Sequence, residues 1–426
     1  MTHDIVIVGA GAAGIAAARW LQAQGIDALI VEARDRIGGR AWTDSSTLGV
    51  PIDMGCAWLH SADRNPWTAY ARSAGFAMIE RSPVWQRRID SEEASPEYLA
   101  QWYEAFARNE GIIAAAAAAG RDVPVAGLVP MDRFRPMFDA VMTWLMGVES
   151  EQVSSVDYAR YADSDVNWAV PRGLGTLIAH AAESLSIQTA APVRLVDYSG
   201  ANVKVRTDRG EIEARAVIVT VPTSVLARET VRFLPDLPVA LIEAFAGVPL
   251  GKDSKVFFRM EPGAMPFADT VHFIGSDASS RTGSYATRPA GQDVLLAFYG
   301  GDFAMELEQR GELERFARDE LSGILGTQFA TRLQAAVSTT WLSDEWSRGA
   351  YSAALPGKAH MRERLQEPVA ERLFFAGEAC SVDYFGTVMG AWNSGIGAAE
   401  RALASIQKRY LTKAGSDGRP RSRSEQ

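Results

Sequence analysis

The strongest pattern of apolar and polar positions opens the chain. Residues 4–8 are a short run rich in Ile and Val, as in a strand buried on both faces. Gly9-Ala10-Gly11-Ala12-Ala13-Gly14 follows at once. An Ala-rich stretch, residues 15–24, then reads as a helix that stops at Gly25. A second apolar run, residues 28–31, ends in Glu32. Strand, tight turn, helix and strand thus follow in order, with G-x-G-x-x-G at the turn and an acid eighteen residues beyond Gly14. In that context the motif predicts a dinucleotide site. The turn built from Gly9, Gly11, Ala13 and Gly14 lets the backbone approach a pyrophosphate and packs the helix on the sheet. The helix N-terminus faces the phosphates, and Glu32 can accept hydrogen bonds from ribose hydroxyls.

Further along, the periodicity changes character several times. Over residues 68–166 strand signals vanish, and helical stretches are predicted at 96–109, 111–119 and 133–146. Residues 83–95 are densely charged and read as an exposed loop. Near Trp168 the pattern reverts: a helix at 177–184, then short alternating strands at 193–198, 203–207, 211–214 and 216–221, a small antiparallel meander. Strands at 255–259 and 294–299 and a charged helix at 304–325 follow. A last apolar strand, 373–376, leads through Gly377 and Glu378 to a helix at 395–406. Two kinds of segment therefore alternate. The simplest architecture is a Rossmann-type α/β domain (residues 1–67, 168–232 and 341–410) interleaved with an α+β domain (68–167 and 233–340). A basic tail, 411–426, reads as disordered.

Composition narrows the class. The chain has 426 residues, 47% hydrophobic and 22% charged, ordinary for a globular protein with two or three domains. A formal charge of -9 argues against nucleic-acid binding and suits cationic small molecules. Two cysteines give no disulfide framework and no zinc site, so a reducing cytoplasm is the simplest compartment. With no apolar run of about 18 residues and no basic n-region, neither a membrane span nor a signal peptide is expected.

The residues after Glu32 decide which dinucleotide. Glu32-Ala33-Arg34-Asp35-Arg36-Ile37-Gly38-Gly39-Arg40 resembles the signature of the flavin amine oxidase family, which includes the monoamine oxidases, the polyamine oxidases and the lysine-specific histone demethylases. The resemblance extends over about residues 4–410 and is nearest the polyamine oxidase-like branch. It implies FAD, with Ala33, Arg34, Gly39 and Arg40 beside the cofactor; Arg40 offers a rigid fork of donors to phosphate. Gly55-Cys56-Ala57-Trp58-Leu59-His60 is similar to the polyamine oxidase stretch that borders the flavin and puts a histidine, here His60, in the substrate channel. Gly377 and Glu378 match the closing flavin motif, with Thr387, Val388 and Met389 near the ring. Val193 and Val221, at the two ends of the meander, fall on the cofactor side.

The same resemblance assigns chemistry. Lys255 follows a Pro-Leu-Gly segment at the spacing of the family lysine that holds a water against flavin N5 and assists reoxidation by oxygen; Lys252 competes for that place. A lysine at the head of a strand is otherwise a solvated edge charge. Trp341 and Tyr351 fall on the tryptophan packed by the flavin and the tyrosine that faces its ring, although core packing is a frequent fate for both residue types. Ala350 stands where animal monoamine oxidases carry the cysteine joined to FAD, so the cofactor should be non-covalent. Thr387 replaces the second cage tyrosine of the monoamine oxidases. The implied reaction oxidises a primary or secondary amine by hydride transfer to the flavin, with oxygen as acceptor and an aldehyde and hydrogen peroxide as products. An L-amino-acid oxidase, for which Arg87, Arg88 or Arg172 would hold the carboxylate, a desaturase, or a flavin-binding homologue without catalysis are the alternatives.

Overall fold

Strand Thr2–Val8 is the axis of an eight-stranded sheet. It pairs in parallel with Ala28–Val31 on one side and with the long strand Gly210–Val219 on the other. Side chains alternate between the faces of a strand. Accordingly Ile5 and Ile7 enter one apolar cluster, while Val6 and Val8 enter another. A strand covered on both faces needs the unbroken apolar run seen in the sequence. The computed structural model describes residues 2–83, 88–89, 92–265, 267 and 270–417.

From its far edge the sheet runs Arg232–Leu234, Val193–Asp197, Val203–Thr207, Gly210–Val219, Thr2–Val8, Ala28–Val31 and Ser186–Gln188, with Leu373–Phe375 paired in parallel to Gly210–Val219. Helix Ala12–Ala23 is sandwiched between this sheet and the C-terminal helix Val388–Asp417. Its small residues permit the close approach: a Cβ on Gly14 would overlap the Gly9 carbonyl, and one on Gly395 would overlap that of Ala13.

A second sheet of seven strands centres on Asp253–Met260 and Val294–Gly300, an antiparallel pair. Here too alternation divides the side chains. Val256 and Phe258 face a core shared with helices Gly301–Arg310 and Leu313–Leu325, whereas Phe257 packs with Met54 and Trp341. Helices Pro96–Ala118 and Arg135–Met146 build a third core around Trp102 and Phe138, closed by Phe385.

Several boundaries differ from the sequence reading. Pro96–Ala118 is one helix that continues through Gly111, since a single helix glycine costs only about 1 kcal/mol. The charged helix predicted at 304–325 is two helices, divided at Gly311. The strands predicted at 211–214 and 216–221 are one, Gly210–Val219. The final helix runs to Asp417, so the tail does not begin at 411. Good helix formers sustain it, and Lys408 and Arg409 anchor it to Glu371 and to the Arg215 carbonyl. Residues 418–426 lie outside the described residues. Within the predicted loop 83–95, Arg88–Ile89 and Glu92–Glu93 form short strands at the edge of the second sheet; 84–87 and 90–91 lie outside the described residues. No helix among the described residues is long and apolar enough to cross a membrane.

One ion pair joins segments distant in sequence. Arg362 donates to Asp157 through Nε (2.6 Å) and Nη2 (2.8 Å), and both side chains are 0% exposed. Arg362 also donates to the Ser352 hydroxyl and the Ala379 carbonyl, and it lies over the Phe385 ring. Every polar atom there has a partner because none can reach water. Replacing Asp157 alone by Leu should cost about 3–5 kcal/mol, because it strands a buried guanidinium. The double variant Asp157→Leu/Arg362→Met should cost less than the single one. Urea unfolding of the three proteins checks both orderings.

Candidate active site

Between the carboxyl ends of Thr2–Val8 and Ala28–Val31 and the second sheet lies a cavity of about 730 Å3. Crevices at the carboxyl ends of parallel strands are where α/β sheets take ligands. Gly9, Gly11, Ala13, Glu32, Ala33 and Arg34 line one end. Gly39, Arg40, Gly55, Cys56, Ala57 and Trp58 continue the wall, joined by Val193, Val221, Gly377 and Glu378. His60, Lys255, Trp341, Tyr351, Thr387 and Val388 complete the set of predicted residues brought together there. Two predicted residues do not line it. Gly14 is occupied in packing the helix against Gly9, and Met389 is turned into the protein at 5% exposure.

The dinucleotide end is shaped by backbone. Gly9 adopts φ +108°, which favours glycine, and a Cβ on it would meet the Thr220 hydroxyl at 2.5 Å. At Gly11 a Cβ would meet nothing nearer than the Gly38 carbonyl at 4.0 Å, and at Gly377 nothing within 4 Å. Side chains there would stand in the cavity itself, so the glycines keep clear the space a pyrophosphate needs. Glu32 does two jobs. Its carboxylate accepts from the amides of Ala10 and Arg34, both at 2.8 Å, which ties the glycine turn to the second strand. Each oxygen keeps a lone pair for a ribose hydroxyl. These features fit FAD.

Arg34 and Arg40 also hold the cavity's far wall. Arg34 donates to Asp344 (2.5 Å) and Ser347 (2.8 Å). Arg40 Nη1 donates to Glu378 at 2.8 Å and to the Ala350 carbonyl. Glu378 further accepts from the Ser352 hydroxyl (2.6 Å) and the Gly386 amide (2.7 Å). Burial pushes the Glu378 pKa up, but Arg40, Ser352, Arg362 and Gly386 outweigh it, and the net shift is downward. Sequence reasoning saw in Arg40 only a phosphate ligand.

Lys255 and Lys252 part company in space. Lys252 reaches Asp302, away from the cavity. Lys255 faces the cavity, and its ammonium donates to the carbonyls of Asp53 (3.0 Å) and Gly55 (2.5 Å). Two of its three donors are thereby engaged, leaving one for a ligand or water. Burial lowers its pKa, opposed by Asp53, Cys56 and Asp253. Asp53 is a further site residue that sequence patterning did not expose. Its carbonyl holds Lys255, while its carboxylate accepts from the amides of Leu174 and Gly175 and from Thr43.

The remaining wall is aromatic. Trp341 donates its indole N–H to the Met54 carbonyl (3.0 Å) and meets Trp42 edge-on. Tyr351 donates its hydroxyl to the Trp144 carbonyl (2.5 Å). Phe385 lines the cavity, packed on Tyr161, whereas Tyr384 turns toward Arg64. His60 Nδ1 pairs with Asn167 Oδ1 at 2.7 Å. That oxygen can only accept, so Nδ1 carries the proton and Nε2 of the neutral ring is an acceptor. Burial lowers the His60 pKa, against the pull of Asn167 and Asp163. At the exposed rim stand the carboxylates Glu110, Asp163 and Asp165 beside Phe106, Leu145 and Tyr158. No pattern announced these: Phe106, Glu110, Leu145 and Tyr158 lie on helices, and Asp163 and Asp165 on the loop that follows helix Ser155–Arg160. Arg172 stacks on Phe76 and is not in the cavity wall; Arg87 and the Arg88 side chain lie outside the described residues.

Lowered through its partners, the Glu378 pKa makes a pH prediction. A depressed folded pKa stabilises above the ordinary value of 4.5 and that stability is lost as pH falls through the folded value. Glu378→Gln should therefore lower Tm at neutral pH, by the equivalent of about 2–3 kcal/mol. The gap from wild type should close below pH 4.5 in thermal melts at a series of pH values.

Comparison with known proteins agrees with this geometry. The family model of flavin-containing amine oxidoreductases matches residues 12–90 and 85–403. Polyamine oxidase 4 of Oryza sativa subsp. japonica is 28% identical over 438 residues, covering 95% of this chain and 89% of that one. Among solved structures, cyclohexylamine oxidase from Brevibacterium oxydans IH-35A superposes with a TM-score of 0.79 at 22% identity, over 96% of this chain and 100% of that one. Putrescine oxidase bound to putrescine gives a TM-score of 0.80 at 22% identity, over 95% and 99%. The match runs from the end of the glycine turn through the Lys255 strand and past the closing Gly377–Glu378 segment, and the chain belongs to the flavin-containing amine oxidoreductases.

Proposed function

We propose that this FAD-dependent amine oxidase acts on a diamine or polyamine, with Lys255, Tyr351, Trp341, His60 and Thr387 at the reacting end of the cavity. The observation that carries the reading is the cavity's polarity: aromatic and apolar walls within, and three carboxylates at the exposed rim. The likeness to polyamine oxidases supports it. FAD, when bound, accepts the two electrons of the C–H bond beside the amine nitrogen and passes them to oxygen.

The chain's own residues supply everything else. Glu32, the glycine turn, Arg40 and Gly377 hold the dinucleotide. An alkylamine must be neutral to react, and with a pKa near that of lysine this costs roughly 4 kcal/mol at pH 7. The apolar walls disfavour the cation and reduce that cost. His60 Nε2 is placed to accept the released proton. Tyr351 and Trp341 orient the carbon against the cofactor. Glu110, Asp163 and Asp165 receive a distal ammonium. Lys255 presents its remaining N–H to a water at the cofactor.

FAD is bound without a covalent link. Ala350 offers no thiol, Cys380 is absent from the cavity wall, and burial raises the Cys56 thiol pKa to about 12. Residues 1–67, 168–232 and 341–410 form the cofactor domain and 68–167 and 233–340 the substrate domain. The strands of the eight-stranded sheet support that division except at Arg232–Leu234, which pairs with Val193–Asp197 and crosses the 232/233 boundary. The free thiols of Cys56 and Cys380 support a cytoplasmic setting.

A peroxide assay over monoamines, diamines, polyamines and amino acids tests the reading. Diamines or polyamines should give the highest kcat/KM; turnover of amino acids alone would refute it. Lys255→Met should retain FAD but slow reoxidation by oxygen about tenfold or more, ~1.4 kcal/mol of barrier. A stopped-flow oxidation rate equal to wild type would remove Lys255 from that role.

A further inference from the structure

Strands Trp58–Leu59 and Trp168–Ala169 pair antiparallel, with Leu59 opposite Trp168. That register sets the next residues, His60 and Asn167, against each other, and Ala62 N donates to Val166 O (2.8 Å) a step further on. On the other edge of Trp168–Ala169 a third segment arrives: Ile79 N donates to Ala169 O (2.8 Å). It makes a single bridge and does not continue as a strand. Pro83, close behind, has no amide proton to give. Asn167 is 6% exposed, so its own N–H needs a partner there.

The Ser82 hydroxyl stands in for the missing backbone. It accepts from Asn167 N at 2.8 Å and donates to Asp165 O at 3.0 Å. A hydroxyl can do both at once, since it carries one proton and two lone pairs. The segment it closes is bent. Asp165 adopts φ +60°, and Ser61, beside His60, adopts φ +49°, backbone that residues other than glycine seldom take. Such turns persist where surrounding bonds hold them. At Ser61 the hydroxyl accepts from Ser164 N (3.2 Å). At Asp165 the amide goes to Asp163 Oδ1 (3.0 Å) and the carbonyl to Ser82. His60 is anchored separately, its carbonyl accepting from Asn65 Nδ2 (2.8 Å). The His60–Asn167 pair thus has two supports, Asn65 for the histidine and Ser82 for the asparagine.

We propose that Ser82 is a positioning residue: by bridging Asp165 O and Asn167 N, its hydroxyl holds Asn167 Oδ1 against His60 Nδ1, which keeps the ring proton on Nδ1 and leaves Nε2 as the acceptor. The consequence for turnover rests on the role given to His60 above; the tautomer itself does not.

Nitrogen NMR of flavin-loaded protein labelled at the histidine ring nitrogens tests it, at a pH where the rings are neutral. The chain has five histidines, and the His60 pair of lines is identified by its loss in His60→Gln. In wild type that pair should show the proton on Nδ1. Ser82→Ala should shift it toward a mixture of the two tautomers and leave the other histidines in place. Ser82→Thr, which keeps the hydroxyl, should match wild type. With a monoamine, which brings no distal ammonium to the rim, Ser82→Ala should lower kcat/KM about fivefold, the worth of one hydrogen bond, and should have no further effect in the Asn167→Ala background. A wild-type proton on Nε2, a His60 pair unmoved in Ser82→Ala, equal damage from Thr and Ala, disturbance of every histidine alike, or additive losses in the double variant would overturn the proposal. Should the alanine variant not fold, Ser82→Cys, a weaker donor of similar shape, is carried through the same comparisons. If His60→Gln oxidises amines as fast as wild type, the role given to His60 fails while the NMR result still decides the positioning.

Discussion

The Asp157–Arg362 pair is the constraint on which the site's geometry depends. Wholly out of solvent, it tolerates no loose partner, and its remaining donors fix Ser352 and the Ala379 carbonyl. Ser352 in turn donates to Glu378, and Glu378 accepts from Arg40. One polar chain thus runs from a short helix of the helical block to the arginine beside the dinucleotide turn. The five residues come from three distant stretches of sequence. Such a network specifies a single arrangement because each member, left alone, would be a buried unpaired group. The cavity walls are registered to one another through it.

Buried carboxyls show how the same burial gives different chemistry. Glu378 keeps its charge because cationic and hydroxyl partners outweigh desolvation. Asp53 receives two helix amides and Thr43, yet burial still raises its pKa, and its backbone carbonyl is what Lys255 uses. The Asp253 carboxyl makes no hydrogen bond among the described residues, and burial raises its pKa well above the usual carboxylate range. Asp53 and Asp253 also act on Lys255, where they oppose the lowering of its pKa that burial causes.

The sequence made legible what is local. Gly9 to Glu32 declared strand, turn, helix and acid, and the structure keeps them in that order. Lys255, Trp341 and Tyr351 were named only through the resemblance of their segments to the flavin amine oxidases, and all three line the cavity. Choosing between Lys255 and Lys252 needed the strand's register, which the second sheet supplies. What was not legible is non-local. Arg40 carries no mark of its partnership with Glu378, 338 residues away. Trp144, Phe106 and Glu110 lie on helices whose periodicity shows only a buried face. Asp253 carries no mark of its burial, because the two glycines beside its carboxyl are 106 residues before it and 47 after it. Of the tail read as disordered, residues 411–417 continue the last helix, whose earlier turns are anchored; 418–426 lie outside the described residues.

The central claim is that this cavity brings a neutral amine to a bound flavin. Adding a diamine to the flavin-loaded protein without oxygen, and following the visible absorbance, tests it most directly. The account predicts that the yellow colour bleaches, and that it returns when oxygen is admitted. No bleaching by any amine, with the colour lost to an amino acid or not at all, would contradict it.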